Sequence, residues 1–224
     1  MDSNRLNAVK IGILFLIALV FNLIASNISN PILNSPDYLN LVFANKTTIV
    51  IANVLNLICA MAMIFIPIVL MRVVKKEYEK LAIIYAVFRF LEGILFIYLA
   101  IKSLSIISLS SDYLSSGNNT ISVLGDAIKL EIQWATNVYI IIFCIGAFAF
   151  YTLLYKSRLV SSILSVWGLL AVVLLFVGSI MGLFGMGIFN DLPLMNGMVY
   201  FAPPIALNEL VLSIWLIAKG FNVK

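Results

Sequence analysis

Six stretches of this sequence are long and apolar enough to cross a lipid bilayer, and that constrains the fold before any other feature is read. A helix needs about 20 apolar residues to span the hydrocarbon core. The segments at roughly 9–29, 47–71, 81–107, 132–155, 160–188 and 195–218 meet that length. Lipid offers no partner to a backbone N–H or C=O, so each such segment must satisfy its own backbone as a helix. Polar connectors carrying turn residues separate them. NPILNSPDYLN (30–40) holds two prolines and three asparagines, KKEYEK (75–80) is a charged hairpin, YKSRL (155–159) is short and basic, and NDLP (190–193) reads as a turn. The longest connector, 108–131, ends in TISVLGDAIKLEIQ. That spacing suits either a short helix on the membrane surface or an ordinary ordered loop. The expected fold is all-α: a polytopic transmembrane bundle of six helices in a single integral-membrane domain, residues 1–224.

Composition agrees with a chain whose solvent is largely lipid. The 224 residues are 63% hydrophobic and 11% charged, against about a quarter charged for an ordinary soluble domain. The net charge of +4 comes with no dense basic run outside the loops, so no nucleic-acid partner is expected. Of the fourteen Lys and Arg residues, Arg5, Lys10, Arg72, Lys75, Lys76, Lys80, Lys156, Arg158, Lys219 and Lys224 fall on one side of the six-span arrangement. Lys46, Lys102 and Lys129 fall on or near the other, and Arg89 lies within a span. The positive-inside rule makes the first group cytoplasmic, with both termini. Arg5 and Lys10 also precede the first apolar stretch as they would in a signal peptide. That stretch is long for one, and NLIASNIS is a weak cleavage site, so a retained helix is expected.

The chain contains no histidine. This removes the commonest metal ligand, the usual general base and bis-histidine haem ligation together. No metal or cofactor is expected. Cys59 and Cys144 both lie in apolar stretches and read as packing residues rather than a disulfide.

Polar chemistry concentrates at three ionisable residues inside spans: Arg89, Glu92 and Glu209. Charges there are costly and usually face the protein interior in pairs. In FRFLEGILF (88–96), Arg89 and Glu92 are three apart and share a helical face, which Tyr85 and Phe96 extend. Counted from the basic side at 1.5 Å per residue, Arg89 is roughly 12 Å deep, Glu92 roughly 17 Å and Glu209 roughly 14 Å. The three fall at one level, which contact requires. Two carboxylates around one guanidinium leave an excess negative charge if both ionise. In a low-dielectric site one of them is then expected to hold a proton, shared or exchangeable. A buried Arg–Glu group can equally be a clamp that fixes helix register. Asn56 and Asn137 are candidates to support the cluster, and read more readily as interhelical hydrogen-bonding glue.

Pro203 and Pro204, in FAPPIALNEL (201–210), remove two backbone donors and bend or restart the last helix ahead of Glu209. Such a break is also a feature of transporter helices. Gly178 and Gly182 form a small-xxx-small pair that admits a close helix neighbour, from this chain or from a second copy in a homo-oligomer.

Several stretches, in order along nearly the whole chain, carry a resemblance: NRLNAVKIGILFLIALV, PDYL, YAVFRFLEGILF, YKSRLVSSILSVWGLLA and PPIALNELVLSIWLIAKGFN. Together they resemble the bacterial and archaeal multi-pass membrane family called domain of unknown function 4386. The two most distinctive parts are Tyr155–Leu159 with Ser165, Trp167 and Gly168, and Pro204, Ala206, Leu207 and Glu209 with Trp215, Lys219, Gly220 and Phe221. The resemblance implies a one-domain protein of a prokaryotic inner (cytoplasmic) membrane. It implies no activity and supplies no catalytic residues.

Three functions fit these residues. The leading expectation is a non-catalytic membrane module with a buried Arg/Glu cluster and no cavity. The alternative is a small carrier or proton-linked transporter using Arg89, Glu92 and Glu209, with a small solute or a proton as partner and a cavity reaching them. The third is a lipid-acting membrane enzyme, for which no paired catalytic motif is visible. Membrane lipids are partners under all three.

Overall fold

The computed structural model describes residues 3–184 and 201–222. These residues form helices α1 (Ser3–Leu33), α2 (Tyr38–Ala44), α3 (Lys46–Leu70), α4 (Glu79–Ser116), α5 (Asn119–Ser157), α6 (Ser162–Leu183) and α7 (Pro203–Ala218), with a short 3₁₀ turn at Lys76–Tyr78. Five of them, α1, α3, α4, α5 and α6, are long and apolar enough to cross a membrane, and α7 is a shorter apolar helix of sixteen residues. The chain is a multi-pass membrane protein. The NDLP turn and the start of the sixth expected span, 195–200, lie outside the described residues.

The helices pack in a closed ring. Going around it, α1 touches α3, α3 touches α4, then follow α5, α6 and α7, and α7 returns to α1. Unlike a soluble bundle, the ring is apolar on its outward faces as well as in its core, and the few charges within the spans point inward. On α4 the inward residues include Tyr85, Arg89, Glu92 and Gly93, while Val87, Phe90, Ile94 and Ile101 are exposed. Lipid favours that distribution, because apolar side chains cost nothing there and polar ones must find partners inside. Phe15 of α1 and Phe150 of α5 meet across the ring with centroids 5.6 Å apart, and Tyr85 stacks on Phe150 at 4.7 Å.

Closure between α1 and α7 depends on two local features. Gly12 lets the helices approach so closely that a Cβ there would lie 2.8 Å from the Ser213 carbonyl oxygen and 2.8 Å from Ile217. Arg5 donates to the carbonyls of Leu216 (3.1 Å), Ile217 (2.6 Å) and Ala218 (3.0 Å) at the end of α7, where the last turn runs short of helical donors; Leu216 also accepts the Gly220 N–H at 3.1 Å. The same face holds the α5–α6 corner: the Asn222 N–H donates to the Leu159 carbonyl (2.8 Å), and the Tyr78 hydroxyl to the Lys156 carbonyl (3.2 Å). Arg5, Asn222 and the basic connectors 72–80 and 155–159 therefore share one face.

The 108–131 connector corrects the reading of a loop with at most a surface helix. α4 runs unbroken to Ser116 and α5 begins at Asn119, joined through Gly117 in the left-handed conformation (φ 62°). The Asn118 side chain caps α5 by accepting the Thr120 N–H at 2.9 Å. The two helices, 38 and 39 residues long, extend about 57 and 58 Å, nearly twice the hydrocarbon thickness of about 30 Å. The Lys102–Glu131 ion pair (2.5 Å) ties them at the level where the excess begins. Beyond it, α2 covers the hairpin. Tyr38, Leu39, Val42 and Ile106 form a separate small core. Ser110 donates to the Leu39 carbonyl and accepts the Phe43 N–H at 2.9 Å. Tyr38 donates to Asp126 at 3.1 Å, and burial, with that carboxylate adjacent, holds its phenol well above the ordinary range. The hydroxyl therefore remains a donor throughout the physiological pH range.

Gly178 is packed by Phe201 of the same chain, while nothing described lies within 4 Å of a Cβ on Gly182. The expected result of Gly12→Ala is a loss of about 1–3 kcal/mol, since the carbonyl it meets cannot move aside. Gly93→Ala crowds only the Ile64 side chain, with the nearest backbone atom, the Ala60 carbonyl oxygen, at an ordinary 3.9 Å, and should cost less. Unfolding of each purified variant in detergent measures the difference.

Candidate functional site at the ring centre

The three intramembrane charges converge on the ring axis. Arg89 and Glu92 project inward from one face of α4, and Glu209 reaches them from α7 on the opposite side of the ring. Arg89 Nη1 donates to Glu92 Oε2 at 2.8 Å, and Nη2 lies 3.7 Å from Glu209 Oε1. The guanidinium is 2% exposed and Glu92 1%. Arg89 Nε donates to the Tyr85 hydroxyl at 3.2 Å. Its flat faces lie over the Tyr85 ring (5.3 Å) and the Phe143 ring (5.2 Å), contacts that favour a desolvated cation.

The two carboxylates differ. Glu92 belongs to the same helix as Arg89 and holds it at full hydrogen-bonding distance. Its second oxygen, Oε1, is buried and accepts no hydrogen bond among the described residues, although Tyr139 stands near enough to interact with the carboxylate. Glu209 is on another helix, its contact with Arg89 is too long for a hydrogen bond, and its side chain retains 17% exposure. That 3.7 Å contact is its only ion pair among the described residues.

Glu209 is exposed to a cavity. A space of about 270 Å³ opens between α1, α3, α5, α6 and α7, and its lining includes both Arg89 and Glu209. Most of its wall is apolar, with Phe15, Ile140 and Ile205 prominent; Asn22 and Tyr139 are its remaining polar lining residues. A pocket with an apolar body and a few convergent polar groups is the general form of a small-molecule site.

The other residues singled out from the sequence take different places. Tyr85 is fully buried against Arg89. Pro203 and Pro204 occupy the first turn of α7, where their missing N–H groups would lack helical partners anyway. They start this helix and set the height at which Glu209 projects. Asn56 and Asn137 each keep a buried polar atom without a partner, Oδ1 and Nδ2 respectively, and neither bonds to the three charges. Interhelical bonding falls instead to Asn53, which donates to Ser103 at 3.1 Å, and to Asn208, which donates to the Leu164 carbonyl at 3.0 Å. Tyr139 and Phe143 were missed as site residues. Their i, i+4 spacing on an inward face was a usable signal. Among the described residues no group of His, Cys, Asp and Glu is arranged to hold a metal ion.

Tyr85→Phe should cost about 1–3 kcal/mol, because it leaves a buried charged donor on Arg89 unpaired. Thermal unfolding in detergent is the check.

The chain belongs to the family described as Domain of unknown function (DUF4386), whose pattern matches residues 11–220. No curated protein and no solved structure matches it.

Proposed function

We propose that this membrane protein is a small proton-linked carrier with no catalytic step of its own. A solute with a largely apolar body occupies the central cavity, and the Arg89–Glu92–Glu209 cluster takes up and releases a proton as that solute comes and goes. The observation that supports this reading best is that the cavity ends on Glu209, the more loosely held of two carboxylates sharing one cation. With both carboxylates ionised the cluster carries one excess negative charge in a setting that penalises it. A proton on Glu209, or a cationic group on the solute, removes that excess. Under this reading the basic face is cytoplasmic by the positive-inside rule, and the protein resides in a prokaryotic inner membrane.

A second reading has its own support. The caging of Arg89 between Tyr85 and Phe143 suits a clamp that fixes α4 against α7 in a module that moves nothing. The two separate experimentally. In the carrier, Glu209→Gln keeps volume, removes the excess charge, and leaves unfolding equal to or better than wild type. Proton-coupled flux in liposomes driven by a pH gradient should then fall at least tenfold. Ala206→Phe, filling the cavity, should stop flux in a protein that still folds. In a clamp, Glu209→Gln is destabilising, Arg89→Ala costs about 3–5 kcal/mol, and the double variant recovers part of the loss.

A further inference from the structure

The α5–α6 corner has no part in the carrier reading, yet it builds the larger of the two cavities described. This second cavity, about 870 Å³, lies on the basic face far from the ring centre. Three separate stretches of chain form it. The α3–α4 connector brings Lys75, the α5–α6 corner (156–162) brings Lys156, Arg158, Ser161 and Ser162, and the segment after α7 brings Asn222. The pieces are locked together by the Tyr78–Lys156 and Asn222–Leu159 hydrogen bonds. The cavity is therefore a fixed feature of the fold.

Its chemistry has one sign. Among the described residues no acidic side chain lines it; the Glu77 carboxylate interacts with the lining residue Tyr78 but is not itself part of the wall. Among the described residues Lys75, Lys156 and Arg158 make no ion pair, and the Ser161 and Ser162 hydroxyls make no hydrogen bond. Ser161 stands at the N-cap of α6 without capping it, so this 22-residue helix begins at the edge of the cavity, where Ser161 and Ser162 line it, with no side-chain cap on its first N–H groups. Three cations, two free hydroxyls and a helix start form a donor set complementary to a phosphate group. Topology alone accounts for basic residues on this face. It does not account for three of them, from two connectors, around one acid-free cavity.

We infer that this cavity binds a phosphate-bearing molecule, with Lys75, Lys156 and Arg158 holding the phosphate and the start of α6 facing it. Two sources share that chemistry: an anionic lipid headgroup and a soluble phosphate ester.

The test uses the full chain in nanodiscs. One arm titrates inorganic phosphate into protein held in pure phosphatidylcholine. The other counts phosphatidylglycerol molecules retained by protein drawn from mixed discs, by native mass spectrometry. Saturable phosphate binding indicates a soluble ester, and retained phosphatidylglycerol without it indicates a headgroup; either supports the site. Lys75→Gln, Lys156→Gln and Arg158→Gln should each weaken the effective probe about tenfold. Arg72→Gln and Lys80→Gln, on the same face outside the cavity, should change it less than twofold. Arg158 sits at φ 53°, where glycine is at ease, so Arg158→Gly removes the charge without straining the fold and remains informative if another variant unfolds. The inference is overturned if neither probe binds saturably to wild type, or if the outside pair weakens binding as much as the cavity variants do.

Discussion

The burial of Arg89 is the constraint around which this bundle is organised. A guanidinium at the centre of a ring of apolar helices cannot shed its charge, because arginine does not deprotonate in proteins. It must be neutralised and hydrogen-bonded where it stands. Glu92 is supplied by the same helix, and Tyr85 satisfies Nε from one turn away. Glu209 arrives only if α7 lies opposite α4 at the right height. The ion pair thus couples two helices that do not neighbour each other in the ring, and a wrong helix order would leave a buried charge unmet. The chain secures that height from both ends of α7. Paired prolines begin the helix, and Arg5 ties its last carbonyls to α1.

Much of this was legible in the sequence because lipid makes the rules simple. Apolar length gave the helical class, and counting 1.5 Å per residue from the basic side put Arg89, Glu92 and Glu209 at one depth. The family resemblance covered nearly the whole chain, and the family match spans 11–220. What composition concealed was the hairpin beyond the membrane. Its Ser- and Asn-rich stretch reads as a loop, yet Ser115 and Ser116 donate their hydroxyls to the Asp112 carbonyl. These bonds satisfy the polar side chains within the helix itself. The apolar cover for Ile106 comes from α2, a segment far away in sequence. Such long-range burial has no local signature. Arg5 was legible only as a topological charge; its role as a cap depends on where α7 ends.

The ring also explains why the two cavities differ in character. At its centre, walls are made by helix faces selected to pack, so the space left is small and mostly apolar, with polarity confined to the few groups that Arg89 requires. At the basic face, walls are made by connectors and helix ends, which supply backbone groups outside the helical ladders and interfacial cations. Under the proposed readings, a solute entering the first would lose water and have to suit the excess carboxylate, and a ligand at the second would remain partly hydrated and be selected by charge.

The geometry of the cluster determines which of its two ion pairs can respond to a change in the cavity. Arg89 and Glu92 are three residues apart on one helix, so any rigid movement of α4 carries both and leaves their 2.8 Å bond unchanged. The Arg89–Glu209 contact spans two helices, and a small displacement of α7 alters it directly. At 3.7 Å it already lies beyond hydrogen-bonding distance, on a steep part of the Coulomb curve in a medium that screens little. Under the proposed carrier reading, occupancy of the cavity, displacement of α7 and neutralisation of Glu209 are therefore coupled. A proton that binds Glu209 weakens its attraction to Arg89, and a solute that pushes α7 outward makes that proton easier to hold. Linkage of this kind is reciprocal, and it needs no second charge centre. The shared cation, one carboxylate fixed to it and one carboxylate free to move are sufficient.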